Sequence, residues 1–173
     1  MKKLAILALS VFVVASMGTA AMANDVVVTF DPEGTQGEGI ALQYLPFDLF
    51  VIGQGIGDVT GWEIGMQLPV GFTVTVRAVS NGPGVNPTGD DNYIIGLGNC
   101  YGVPGEDYLF TQYTMGWFQP VPPPSDASFC LVPPNDGLPP AAGFLAFVSC
   151  ANQIVSMGAG NLGCSPETEG CAV

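Results

Sequence analysis

Few side chains in this sequence could carry out catalysis. The chain has no histidine, which excludes nucleophiles activated by a histidine base. Two of its three basic residues lie at the N-terminus, so Arg77 is the only other cation available to stabilise negative charge. Paired carboxylates alone suffice for glycoside hydrolysis, yet most carboxylates here lie in turn sequences, with Glu63 the exception. We predict a non-catalytic protein, assign no catalytic residue, and keep a small secreted carboxylate-dependent glycoside hydrolase as a third hypothesis.

Two groups of oxygen-bearing side chains could bind calcium. Asp90, Asp91 and Asn92 lie together in a long polar sequence, and Asp31 and Glu33 lie in a turn sequence after the first predicted strand. Calcium takes roughly six to eight oxygen ligands, some of which Gly-rich loops can supply as backbone carbonyls. Neither group has EF-hand spacing, and Asp and Asn also favour turns without any ligand. Calcium is a possible cofactor, and no other cofactor is predicted.

Aromatic side chains at alternating positions could bind a carbohydrate. The longest predicted strand, residues 107–118, places Tyr113 and Trp117 on one face. They are four residues apart, about 13 Å on a strand that rises about 3.3 Å per residue, which suits stacking on sugar rings. Aliphatic residues share that face, so the sequence favours core packing for both rings, with sugar stacking as the alternative. Tyr108 and Phe110 lie on the opposite face, and alternation does not say which face is buried.

The five cysteines predict disulfides, since these form and persist in exported chains. They are Cys100, Cys130, Cys150, Cys164 and Cys171. We predict a Cys130–Cys150 bond, because both residues lie in strand-like sequences around a Pro-rich loop that could close a hairpin. A Cys164–Cys171 bond would close a short loop, which leaves Cys100 unpaired or bonded to another chain. Zinc has little support, because the chain lacks both histidine and a CxxC pair.

The N-terminal 23 residues have the features of a signal peptide. Lys2 and Lys3 precede a short apolar run, residues 4–14, and Ala21-Met22-Ala23 matches the small-x-small cleavage site. The apolar run is too short to span a bilayer comfortably. We therefore expect export to the periplasm, the cell surface or the medium, and no membrane insertion once the leader is cleaved.

The remaining chain has the composition of one acidic all-β domain. We predict that residues 24–157 form the folded domain and that residues 158–173 form a cysteine-containing C-terminal tail. Arg77 stands alone against 15 acidic residues after the leader, so the surface repels nucleic-acid phosphates and anionic lipid headgroups. Frequent Gly and Pro between short apolar runs are typical of strands joined by turns. We predict an unknown protein or a polysaccharide as partner, and no nucleic acid.

The region around which the predicted fold is organised is Asp58–Val79. Apolar and polar residues alternate on both sides of a Pro-Val-Gly turn, the pattern of two strands with one buried face. The predicted core residues of this pair are Trp62, Ile64, Met66, Leu68, Phe72, Val74 and Val76. With the other apolar runs they indicate about nine strands, which favours an antiparallel two-sheet sandwich of the cohesin-like or immunoglobulin-like kind.

One part of the sequence resembles a known group of proteins. The segments PFDLFVIGQGIGDVTGWEIGMQLPVGFTV and DNYIIGLGNC are similar to those of uncharacterised exported bacterial proteins with a cohesin-like or carbohydrate-module-like β-sandwich core. The resemblance covers residues 25–157 and implies a fold rather than a site, because no dockerin-contact or sugar-contact motif can be matched residue by residue.

These observations give three hypotheses for function. The first is a secreted, non-catalytic β-sandwich that acts as a binding or surface-assembly module. The second is a carbohydrate-binding module that uses surface aromatic residues, and the third is the hydrolase considered above.

Overall fold

The computed structural model describes residues 24–80, 92–125, 127–133, 145–159 and 171–172. Within these ranges the protein is all-β, with nine strands in two antiparallel sheets, which confirms the predicted fold class. The strands are β1 (Asp25–Thr29), β2 (Pro46–Gln54), β3 (Val59–Gln67), β4 (Phe72–Val79), β5 (Asn92–Tyr101), β6 (Tyr108–Trp117), β7 (Phe129–Val132), β8 (Ala146–Ser149) and β9 (Ile154–Ser156). The described part of the chain holds no helix of the length and apolarity needed to cross a bilayer.

The strand order brings distant parts of the chain together. The first sheet has the order β1-β2-β6-β4, and the segment Gly158–Ala159 pairs in parallel with β1. In the second sheet β3 is central: β5 pairs with one edge, β7 and β8 follow each other along the other edge, and β9 lies beside β8. The segment Cys171–Ala172 pairs with β7.

The core lies between the two sheets and is rich in aromatic rings. Trp62 of β3 packs against Tyr108 and Phe110 of β6, with ring centroids 6.0 and 5.2 Å away. Phe129 of β7 packs against Phe72 at 5.1 Å in the same way. Such tilted and edge-on contacts stabilise a core beyond the burial of their surface area. The two sheets are therefore joined by aromatic contacts across the sandwich.

Most of the predicted core residues of the central pair are confirmed. Trp62, Ile64 and Met66 are buried, and three others are half-buried and pack against the core: Leu68, Phe72 and Val74. Val76 was predicted to belong with them but is 53% exposed. The reason is a β-bulge, because Val74 lies opposite Met115 whereas Val76 lies opposite the next residue, Thr114. Thr75 is the extra residue, and it reverses the alternation of β4.

A second bulge changes the interpretation of β6. Thr111 lies opposite Val51 and Leu109 lies opposite Ile52, so Phe110 is an extra residue with no partner in the register. Strict alternation placed Tyr108 and Phe110 on the face opposite Tyr113. Because the bulge shifts the alternation by one residue, both sets lie in the core.

The predicted Cys130–Cys150 bond is wrong. Cys150 forms a disulfide with Cys100, whose Cα atom is 5.4 Å away. The register explains this pairing, because Tyr101 and Ser149 both lie opposite Val59, at the start of β3. Cys130 is also disulfide-bonded, so neither it nor Cys100 is a free thiol. Cys164 lies outside the described residues.

Candidate functional site

The two aromatic residues that were candidates for sugar binding lie inside the protein. Tyr113 is 1% exposed and Trp117 is 7% exposed. The Trp117 ring packs against Phe72 at a centroid distance of 5.2 Å, and its Nε1–H donates a hydrogen bond to the Val121 carbonyl. Neither ring offers the open face that stacking on a sugar requires.

The Asp31 carboxylate is already occupied by its own loop. The backbone N–H groups of Thr35 and Gln36 and the Thr35 hydroxyl donate hydrogen bonds to it. Burial by itself would raise the pKa of Asp31, but these hydrogen bonds outweigh burial and lower the pKa below its usual 3.8. Asp31 therefore closes a turn, while Glu33 beside it is exposed.

The other predicted calcium ligands are not brought together with Asp31. Asp90 and Asp91 lie outside the described residues, and for Asn92 the structure describes only the backbone, at the start of β5. Among the residues described, no three Asp, Glu, Cys or His side chains form a group that could hold a metal ion.

Glu63 is the one strand carboxylate that the hydrolase hypothesis singled out. It is half-buried, and its Oε2 atom has no hydrogen-bond partner within the described ranges. Its neighbours in the register are Ile94 on β5 and Ala146 on β8. The sheet therefore places no second carboxylate directly beside it, and paired-carboxylate chemistry needs two.

The segment from Gly39 to Tyr44 shows a feature that sequence analysis missed. Exposure alternates along it, with Gly39, Ala41 and Gln43 half-buried and three large apolar residues exposed: Ile40, Leu42 and Tyr44. An ordinary surface strand does the reverse and buries its large apolar residues. The alternation of Ile40, Leu42 and Tyr44 is visible in the sequence, but it would equally fit a strand with these residues in the core.

Hydrogen bonds hold this inverted segment against the end of β6. Gln43 pairs with Trp117 as an isolated bridge, and its Nε2 donates to the carbonyls of Gln119 and Val121 at 2.7 and 3.3 Å. The Tyr44 N–H donates to the Trp117 carbonyl at 2.8 Å. The segment is thus attached through the Gln43 side chain and the Tyr44 backbone, and its three large apolar side chains are left facing solvent.

Tyr44 has an unusual backbone conformation. Its φ is 65°, in the left-handed region that residues other than Gly, Asn and Asp rarely adopt, and its ring is 57% exposed. Strained conformations of this kind tend to occur at functional sites, where the surrounding structure enforces them. Here the Gln43 and Tyr44 hydrogen bonds to the end of β6 enforce it.

Tyr44 belongs to a larger apolar area. We call the exposed apolar surface the set of exposed large apolar residues on the inverted segment and on the adjoining residues 118–121, namely Ile40, Leu42, Tyr44, Leu45, Phe118 and Val121. The Pro-rich residues 120–124 continue it. Residues 39–47 and 108–125 contain no charged side chain, although the chain has 15 acidic residues. The surface is therefore electrically neutral within an acidic protein.

A cleft opens beside this surface. Its floor is formed by the rings of Phe30, Phe47, Phe72 and Phe129, and its walls by residues 39–41, 123–125 and 127. A water-sized group can enter about 40 Å³ of it. We call it the phenylalanine cleft. Because one water molecule needs roughly 10 to 15 Å³ of such space, the cleft has room for a group of only a few non-hydrogen atoms.

Gly39 allows one wall to approach the floor closely. A Cβ atom at this position would lie 2.7 Å from the Phe30 ring, closer than carbon atoms pack. Any larger residue would push the segment away from Phe30 or tilt the ring. The glycine thus positions the inverted segment above the phenylalanine floor.

No family model, curated protein or solved structure matches this chain.

Proposed function

We propose that the protein is an exported, non-catalytic β-sandwich module that acts through binding or surface assembly, and that the exposed apolar surface is its contact surface. The observation that carries this proposal is the inverted alternation of residues 39–44. Single exposed apolar residues are ordinary, whereas a contiguous apolar area on a folded domain is typical of an interaction site.

Three further features support a contact role. The apolar surface lies next to a cleft that can receive an anchoring group, which is how residues that dominate binding energy are arranged. Tyr44, a residue type enriched at interfaces, is held in a strained conformation that presents its ring. The resemblance to cohesin-like and carbohydrate-module-like exported proteins also fits a non-catalytic role.

A carbohydrate-binding module is the second candidate. Tyr44 and Phe118 are exposed aromatic residues on the same surface, and they replace Tyr113 and Trp117 as candidates for stacking on a sugar. The neutral surroundings would suit an uncharged polysaccharide rather than an acidic one.

A pair of variants with matched exposure tests the contact surface. Leu42 is 54% exposed on it, and Ile154 is 56% exposed on β9. Wild-type protein, Leu42→Asp and Ile154→Asp are compared for retention on cellulose, chitin and peptidoglycan and for self-association by sedimentation. We expect Leu42→Asp to weaken whichever interaction the wild type shows, and Ile154→Asp to leave it unchanged. Equal loss in both variants, or no interaction of the wild type in any assay, would overturn the proposal.

A further inference from the structure

Two residues near the end of the chain, Cys171 and Ala172, pair with the edge of β7. Cys130 of β7 is disulfide-bonded, and Cys100 and Cys150 are bonded to each other, so the partner of Cys130 is one of the two cysteines near the C-terminus. Cys171 lies directly opposite Cys130 in an antiparallel register. Facing residues in such a pair have Cα atoms roughly 4.5 to 5.5 Å apart, a separation that a disulfide spans. The register therefore makes Cys171 the partner of Cys130.

The strand pairing by itself is too short to hold this segment on β7. It consists of two residues, and fixing their backbone costs conformational entropy that the hydrogen bonds of so short a pairing hardly return. The strands joined by the Cys100–Cys150 bond differ in this respect, because β5 and β8 pair with β3 at six and four positions. These strands can stay in place without their disulfide, whereas the segment 171–172 depends on its own.

The other end of the C-terminal tail is anchored independently of any disulfide. The Met157 side chain lies in the core and is 5% exposed, and its N–H donates to the Leu145 carbonyl at 2.9 Å. The Gly158 N–H donates to the Asn24 carbonyl at 2.9 Å, beside the parallel pairing with β1. Loss of the disulfide at β7 would thus release the chain end and leave Met157 in the core.

Cys130 lies on the solvent side of its sheet. Phe129 and Leu131 are buried in the core, so alternation turns the residue between them outward, and Cys130 is partly exposed. Exchange between thiols and disulfides requires that a thiolate reach one of the two sulfur atoms. A disulfide on this face can meet a thiolate from solvent, which a bond inside the core could not.

We propose that residues 171–172 are a redox-controlled strap, which covers the edge of β7 while the Cys130–Cys171 bond is intact and leaves it when the bond is reduced. A dithiol supplies the two electrons and two protons: its own sulfurs form a disulfide, and both cysteines become thiols. Among the described residues, only the strap pairs with the edge of β7 that faces away from β3. An uncovered edge accepts further strands, so the oxidised protein is the form protected from strand addition.

Amide hydrogen exchange, followed residue by residue by NMR on the protein purified from an exporting host, tests the strap. With dithiothreitol as the probe, the β7 amides that face away from β3 should exchange at least about 10-fold faster than in the oxidised protein, because they lose their hydrogen-bond partners. The β3 amides should keep their protection. Cys130→Ser/Cys171→Ser should show fast exchange at β7 without reductant and no further change there with it.

The matched control is Cys100→Ser/Cys150→Ser, which lacks the other disulfide and keeps the bond of the strap. Its β7 edge should exchange slowly until dithiothreitol is added, and oxidised glutathione should restore the protection. If either double variant fails to fold, the wild type with and without dithiothreitol allows the same comparison of β7 with β3.

Three results would overturn the proposal. The first is equal exchange at β7 in the oxidised wild type and in Cys130→Ser/Cys171→Ser, since the bond would then not control the edge. The second is an equal loss of protection in β3 and β7 on reduction, which is global unfolding rather than local release. The third is protection that does not return on reoxidation, because the strap would then not be reversible.

Discussion

The Cα atoms of Cys100 and Cys150 lie 5.4 Å apart, although the strands β5 and β8 run along opposite edges of β3. The bond joins these strands beyond the first residues of β3 and closes a loop between positions 50 residues apart. Closing such a loop restricts the unfolded chain by about 4 kcal/mol. We expect Cys150→Ala to lower the free energy of unfolding by about this amount in urea titrations. Cys100→Ala and the double variant should lose the same amount, because all three lack the same bond, and an additive loss would contradict this.

The partner of Cys130 can be predicted from the backbone. Cys130 is disulfide-bonded, and Cys171 lies directly opposite it in the register with β7. We expect a Cys130–Cys171 bond. The protein is cleaved at Asp and Glu without reduction. Mass spectrometry should then find the peptide of residues 127–136 still linked to that of residues 170–173. A link from residues 127–136 to residues 137–167 would contradict the prediction.

The bulge at Thr75 can be tested with two valine substitutions on the same strand. Val74 packs against the core and Val76 faces solvent. Val74→Thr should lower the free energy of unfolding by about 1–2 kcal/mol, because its hydroxyl replaces a methyl group in apolar surroundings. Val76→Thr should change it by less than about 0.5 kcal/mol, as usual for surface substitutions. Equal effects in chemical denaturation would mean that β4 has no bulge.

Substitutions of Tyr44 should affect stability and assembly differently. Glycine adopts a φ of 65° without the cost of about 1–2 kcal/mol that a side chain incurs there. The free energy of unfolding of Tyr44→Gly should therefore equal that of Tyr44→Ala or exceed it by up to about 1 kcal/mol, as measured by thermal or chemical unfolding. Both variants lack the exposed ring and should assemble more weakly than the wild type. If Tyr44→Ala is the more stable of the two, the backbone is not strained.

Asp31 gives a dependence of stability on pH. Its pKa is lower in the folded protein than in the unfolded chain, so its contribution is complete above the unfolded value of about 3.8. The contribution is lost as the pH falls through the lower, folded pKa. We expect Asp31→Asn to be less stable than the wild type at pH 7 and the difference to disappear in strong acid.

Glu33→Gln is the control for this prediction, because it removes the same charge two residues away from an exposed position. It should show little of the effect. A difference between wild type and Asp31→Asn that persists below the folded pKa would mean that the carboxylate is not responsible.

The alternation of apolar and polar residues predicted the fold class and the central core. It predicted the wrong buried face where a β-bulge adds one residue to a strand. Trp62, Ile64 and Met66 follow strict alternation and are buried. Thr75 and Phe110 are ordinary strand residues, so nothing in their type marks a bulge. Each bulge depends on pairing with a strand distant in sequence.

The candidate site could not be found from sequence for a related reason. Ile40, Leu42 and Tyr44 alternate as the residues of a buried strand do. Whether such a row faces the core or solvent depends on what covers it. Here Gln43 and Trp117 fix the orientation through contacts between segments more than 70 residues apart. Similarly, the Cys100–Cys150 bond follows from two strands that share β3 as a neighbour.

The position of β3 sets the order in which the sandwich can form. Two of its three partners, β7 and β8, begin at Phe129 and Ala146, so one edge of β3 stays unpaired until most of the chain is available. Folds that depend on such distant pairings form slowly, in milliseconds to seconds. A chain that forms its sheets slowly remains unfolded for longer, and passage through a secretion pore requires an unfolded chain. For the exported module that we propose, the strand order that buries the core would also give the chain time to be translocated.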